Sequence, residues 1–198
     1  MANVFLDLGT HYGQGLGEFI GMYGMDDTWT IHTFEANPVT HKIFMDNHHS
    51  RTPWVVSHLE AVSDHNGTIT VNIETPPGEG ETGMGTSTVD MSVWNPWGLA
   101  EPDKDHFKTN AEVPCIDFSQ FIQNNFSKED RIIIKMDIEG SEFDTLDKML
   151  KDGTFDWVDD IYVEWHARFF RNKEEMEKRE ANIQEQIKPL VTKLENWR

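Results

Sequence analysis

The run Val4-Phe5-Leu6-Asp7-Leu8-Gly9-Thr10-His11-Tyr12-Gly13-Gln14-Gly15-Leu16-Gly17, continuing into Glu18-Phe19-Ile20, decides the fold. A short apolar stretch ends among glycines and then gives way to helix-forming residues. This predicts a buried parallel strand, a tight turn and the first turns of a helix. Glycine suits such a turn because a side chain there would force a strained φ or hold the backbone away from a ligand. The spacing is Asp7-x-Gly9-x-x-x-Gly13. No register of it yields the G-x-G-x-x-G of dinucleotide-binding turns, and the Gly-Lys-Ser/Thr ending of a P-loop is missing.

The same alternation continues down the chain. Residues 29–34, 54–59, 131–137 and 160–166 read as further core strands, with helices expected over 39–47, 117–125 and 141–151. Residues 60–64 close the third strand. Residues 68–74, after the turn Asn66-Gly67, alternate like a half-exposed strand that could pair with 112–116. Asp117 is the expected N-cap of its helix, and Asp152-Gly153 the expected stop. Strand-helix repeats with acidic residues at the strand ends predict an α/β, doubly wound, mainly parallel sheet. Residues 75–108 show no period and are rich in Pro, Gly, Trp and charge, which suggests a lid-like loop. Residues 171–198 read as a charged C-terminal helix of the same domain, which spans 1–170. Met176, Ile183, Leu190 and Ile187, Leu194 fall at heptad spacing, and Pro189 should kink the helix. Packing on the sheet is the simpler use of that seam, and a homo-oligomer through it is the alternative.

The chain has 198 residues, enough for one sizeable core. Its 17 basic and 35 acidic side chains leave a net charge of -18. Such a surface repels phosphates and anionic lipid, so neither nucleic acid nor membrane is an expected partner. Residues 171–198 carry 7 basic and 6 acidic groups, so the negative charge lies in the preceding part. The single cysteine, Cys115, excludes an internal disulfide and sits in the apolar run Val113-Pro114-Cys115-Ile116, where a buried, inert thiol is expected. No signal peptide and no membrane-length apolar run is visible, so the expectation is a soluble, cytoplasmic protein.

Ligands of open α/β sheets bind at the carboxyl ends of the strands. Four of these ends carry polar groups here: Asp7, Glu35, Asp137 with Glu139, and Glu164 with His166. Glu35 comes where an acid can accept both hydroxyls of a ribose. NAD and S-adenosylmethionine (SAM) sites share that device, so Glu35 indicates a nucleoside without choosing between them. The acidic-x-Gly-x-x-x-Gly turn itself resembles the SAM site of Rossmann-like methyltransferases.

The order of segments extends the likeness. Phe5 to Gly13, Phe34-Glu35-Ala36-Asn37-Pro38, Ala61-Val62-Ser63-Asp64 with Gly67, Gly85-Thr86-Ser87, Lys135-Met136-Asp137-Ile138-Glu139-Gly140-Ser141-Glu142 and Glu164-Trp165-His166 resemble the FkbM-type SAM-dependent methyltransferases. The Lys-x-Asp-x-Glu-Gly-x-Glu block is the most specific of these. The resemblance implies SAM contacts at Asp7 (near the ammonium group), Gly9, Thr10, Gly13, Glu35, Ala61 (beside the adenine) and Asp137. It also implies an oxygen acceptor, a sugar hydroxyl or glycosylated small molecule. One departure is plain: few residues follow His166, so the usual C-terminal antiparallel strands are expected to be lacking.

Methyl transfer from a sulfonium is an in-line displacement, so a weakly nucleophilic hydroxyl needs positioning and a base. His166 is the expected base, as a neutral imidazole, supported by Asp137 or Glu164, with Glu139 beside them. Lys135 could pair with Glu139 or Glu164. A second route places a divalent metal, Mg²⁺ or Mn²⁺, on Asp137, Glu164 and His166 to lower the acceptor's pKa. The competing functions are an NAD-dependent oxidoreductase or epimerase, disfavoured by the glycine spacing and the lack of a Tyr-x-x-x-Lys pair, and a non-catalytic SAM-binding module.

Overall fold

A computed structural model describes residues 1–49, 52–75, 83, 85–100 and 106–197. In chain order the elements are β1 (Asn3–Leu8), α1 (Gln14–Tyr23), β2 (Thr30–Phe34), α2 (Pro38–Phe44), β3 (Val55–His58), β4 (Ala61–Ser63), β5 (Gly67–Ile73), β6 (Thr109–Asp117), α3 (Phe118–Asn125), β7 (Arg131–Met136), α4 (Glu142–Asp152), β8 (Val158–Val163), α5 (Lys173–Ile187) and β9 (Lys193–Asn196). The main sheet runs β3-β2-β1-β7-β8-β9, and each neighbouring pair is parallel. The opening apolar strand is therefore central, as its sequence predicts.

Alternation along the central strands explains the layers, because successive side chains of a strand point to opposite faces. Val4, Leu6, Ile132 and Ile134 meet Phe143 and Leu146 of α4, Ile122 of α3 and Ile183 of α5 on one face. Phe5, Ile31 and Ile133 meet Leu16 and Phe19 of α1 and Phe44 of α2 on the other. Both faces are covered, so the central strands read as unbroken apolar runs. Helices α1 to α4 start or stop where local chemistry dictates. The Asn37 side chain accepts Val39 N–H at 2.9 Å ahead of Pro38, and the Asp117 side chain accepts Gln120 N–H at 2.9 Å. Gly24 and Gly153 end α1 and α4 in the left-handed conformation.

Two regions differ from the sequence expectation. Residues 61–63 form a strand of their own, too short to show a period, in a second sheet ordered β4-β6-β5. There β5 and β6 pair antiparallel, as expected, while β4 pairs parallel to β6. At the C-terminus the helix stops at Ile187 rather than kinking at Pro189, and residues 193–196 return as a parallel strand beside β8. Among the described residues the main sheet holds no antiparallel pair, and it gains a parallel edge strand that the polar sequence Lys-Leu-Glu-Asn did not signal. Trp197 anchors that strand by packing on Phe19 at 5.0 Å. Met176, Ile183 and Ile187 of the heptad seam face the chain's own core. Among the described residues, no helix is long and apolar enough to cross a membrane.

Part of the expected lid, including Met84 and residues 76–82 and 101–105, lies outside the described residues. The described part is fastened down. Ser87 and Asn72 exchange backbone hydrogen bonds of 2.8 and 3.0 Å. Trp94 is only 2% exposed and packs edge-on against Phe169 and Phe170. Its ring is a core element, not a face open to an acceptor.

Candidate functional site

The ends of β1, β2, β7 and β8 and the start of β4 frame one cleft. Its wall includes Gly9, His11, Glu35, Glu60, Ala61, Thr86, Thr88, Asp137, Glu139, Ser141 and Glu164, with Phe34, Val62 and Ile138 as apolar surface. Gly9 makes the closure of β1 against β7 feasible. Its φ is +77°, and a Cβ there would lie 1.7 Å from the Asp137 carbonyl oxygen. Only glycine tolerates both conditions.

Glu35 ties the turn after β1 to the end of β2. Its Oε2 accepts His11 N–H at 2.7 Å and its Oε1 accepts Asn37 N–H at 2.8 Å. Burial pushes the Glu35 carboxyl above its usual range, and these bonds oppose that rise.

Asp7 is not where the resemblance suggested. It is fully buried, does not line the cleft, and faces Lys135, whose Nζ is 3.4 Å from Oδ1. Lys135 donates to the Gly9 carbonyl at 2.7 Å and lies 3.5 Å from Asp137. This lysine pairs with Asp7 and Asp137, not with Glu139 or Glu164, and staples two strand ends beneath the cleft. Burial raises the Asp7 carboxyl and the lysine opposes it. The Thr10 hydroxyl turns inward to the Asp7 carbonyl at 3.1 Å, and Gly13 serves the start of α1 with φ +86°. Of the residues expected to hold a cofactor, Gly9, Glu35, Ala61 and Asp137 therefore line the cleft, whereas Asp7, Thr10 and Gly13 support it from behind.

The Lys-x-Asp-x-Glu-Gly-x-Glu block builds the other end. Glu139 is held at φ +50° and Gly140 at φ +100°. A Cβ on Gly140 would come within 2.7 Å of the Trp94 ring. A non-glycine residue held in this region stores strain of about 1–3 kcal/mol. Glu142, fully buried, accepts Gly140 N–H at 2.8 Å and His166 N–H at 2.9 Å, and lies 3.2 Å from His166 Nδ1. Three further carboxylates surround His166 Nε2: Glu139 at 3.6 Å, Asp137 at 3.7 Å and Glu164 at 3.7 Å. Glu164 also accepts from Arg168 at 2.8 Å.

This setting works against the neutral imidazole expected of a base. Burial works against the charged ring, but Glu142, Glu139 and Asp137 outweigh it and push His166 up to about 9. The ring thus keeps its proton at neutral pH, is 1% exposed, and does not line the cleft. Burial, with the Asp137, Glu142 and Glu164 charges, pushes Glu139 up to about 8 against the pull of His166. Of the four expected catalytic residues, Asp137, Glu139 and Glu164 reach the cleft and His166 stands behind them. Sequence reasoning missed Glu142 as the holder of His166, and Glu60, His11 and Thr88 as wall residues. Glu142 looks like an ordinary acid in a first helical turn, and only the tertiary approach of residue 166 distinguishes it.

The domain model of the FkbM methyltransferase matches residues 7–191. No curated protein matches the chain. A crystal structure of methyltransferase FkbM from Methylobacillus flagellatus is similar over 76% of this chain and 30% of that one, at 13% identity and a TM-score of 0.44. The chain thus spans less than a third of that protein's length.

Proposed function

We propose that this chain, which belongs to the FkbM methyltransferase family, is a SAM-dependent O-methyltransferase whose acceptor is a sugar or another hydroxyl-bearing small molecule. The observation that carries the reading is the charge of the cleft. Its described wall holds Glu35, Glu60, Asp137, Glu139 and Glu164 and no lysine or arginine. That wall offers a pyrophosphate no cationic partner, which disfavours NAD. SAM is cationic at its sulfonium and has no phosphate, so an acidic cleft suits it.

The residues fit the rest of that cofactor. Phe34, Ala61, Val62 and Ile138 offer apolar surface for an adenine. Glu35 receives one backbone N–H on each oxygen and a hydrogen bond from Thr40, which leaves accepting capacity for a ribose hydroxyl. When bound, SAM supplies an electrophilic methyl group that an acceptor oxygen displaces in line.

The chain's own task is to hold that oxygen and take its proton. Asp137 and Glu164 line the cleft and are the carboxylates proposed for this. His166 is a positioning residue that holds the carboxylates together, with Glu142 fixing its ring. Thr86, Thr88 and Ser141 add hydroxyls to the same wall, suited to a polyhydroxylated acceptor. The test is transfer from methyl-labelled SAM to a panel of mono- and oligosaccharides. Label should appear in an ether product, and Asp137→Asn should abolish it. A chain that binds SAM yet labels no hydroxyl compound would contradict the enzymatic reading.

A further inference from the structure

The His166 cluster has a geometry that hydrogen bonding does not explain. Nδ1 is engaged by Glu142, yet the three carboxylate oxygens around Nε2 stand at 3.6–3.7 Å. That is beyond the reach of a hydrogen bond, whose donor and acceptor lie about 2.7–3.2 Å apart. Nε2 of this buried ring therefore faces three carboxylate oxygens at ion-pair distance, without a hydrogen bond to any of them. The donor atoms of Asp137, Glu139 and His166 all lie within 4.8 Å of one another. Atoms that ligate one ion at about 2.1 Å are themselves separated by roughly 3–4 Å. The two nitrogen–oxygen distances, 3.6 Å to Glu139 and 3.7 Å to Asp137, fall within that range.

We propose that His166 Nε2, Asp137 and Glu139 bind a divalent cation, which displaces the protons of Nε2 and of the Glu139 carboxyl to solvent, with Glu142 as the outer carboxylate that fixes the imidazole. Metal-bound histidines commonly carry a carboxylate on the other ring nitrogen, and Glu142 occupies that position. One imidazole and two carboxylates suit Mn²⁺ or a neighbouring transition ion better than Ca²⁺. The left-handed Glu139, clamped by the Ser87 hydroxyl on its carbonyl at 2.5 Å, holds its carboxylate over the centre. Glu139 takes the place of Glu164 in the ligand set expected from sequence because its donor atom groups with those of Asp137 and His166. The role of the ion rests on the methyltransferase reading: it would hold the acceptor oxygen and favour loss of its proton. With Asp137 ligated, that proton falls to Glu164.

The experiment is a Mn²⁺ titration of the purified, EDTA-stripped and dialysed protein without SAM, following free Mn²⁺ by electron paramagnetic resonance. One site per chain is expected, weakened at least tenfold in Glu139→Gln and in His166→Ala and unchanged in Glu177→Gln on the exposed face of α5. Glu139→Gln is nearly isosteric and keeps the test valid if His166→Ala does not fold, which circular dichroism checks. Absence of a site, or equal affinity in native protein and Glu139→Gln, overturns the proposal, the latter being adventitious binding to an acidic surface. Calorimetry with S-adenosylhomocysteine in EDTA separates the two readings. Retained binding of that product without any Mn²⁺ site overturns the ion alone. A Mn²⁺ site with no binding of the product supports the ion and contradicts the methyltransferase.

Discussion

Glu35→Gln separates the two duties of one carboxylate. Its oxygens accept His11 N–H at 2.7 Å and Asn37 N–H at 2.8 Å. A glutamine keeps one acceptor and turns an NH₂ toward the other N–H, leaving a buried donor unpaired at about 1–3 kcal/mol. For a chain of this length each kcal/mol moves Tm by about 2–4 °C, so a fall of about 2–12 °C is expected. Binding should suffer separately. Losing one ribose hydrogen bond to a charged group is worth about 1.5–3 kcal/mol, a weakening of S-adenosylhomocysteine binding by about 10–150-fold. Thermal melting followed by circular dichroism and calorimetry at a temperature where the variant is folded read the two effects. A lower Tm with unchanged affinity would show that Glu35 only ties the turn to β2. No change in either would refute both assignments.

Gly9→Ala places a Cβ 1.7 Å from the Asp137 carbonyl at a φ of +77° and should destabilise by about 4 kcal/mol or more, read as a lowered urea midpoint; a native midpoint would contradict the close approach. Trp94→Ala removes a buried ring packed on Phe169 and Phe170 and should cost about 3–5 kcal/mol in the same assay. A stability loss near zero would show that the ring is not part of the core. Acid should also weaken the fold through His32, which burial and the charge of His58 lower to about 4. A histidine depressed in the folded state contributes stability that is complete above its unfolded pKa of about 6.5 and is lost as pH falls toward 4. After allowance for its partial exposure the loss is about 1–2 kcal/mol. Urea unfolding at pH 7.5 and 5 should show a steeper fall for the native chain than for His32→Gln, and parallel behaviour would refute it.

The fold was legible because its central strands are buried on both faces, so Val4–Leu8 and Arg131–Met136 stand out as apolar runs. Glycines with positive φ and the Asp117 cap marked boundaries for reasons that are local in sequence. The edges were not legible. A three-residue β4 and a polar β9 depend on pairing with distant strands, and nothing within them forces an extended shape. At the site, sequence located the acids at the strand ends but not their depth. Asp7 and Glu35 both end apolar strands, yet one is sealed under Lys135 and the other opens to the cleft. His166 stood out as a polar group at a strand end, but its surroundings did not, because Glu142 approaches it from 24 residues away.

The central claim is that the acidic cleft accepts a phosphate-free nucleoside cofactor. Calorimetric titration of the purified chain with S-adenosylhomocysteine and, in parallel, with NAD tests it most directly. One molecule of S-adenosylhomocysteine should bind per chain and NAD should give no heat of binding. Binding of NAD, or no binding of S-adenosylhomocysteine by a folded chain, would contradict the account.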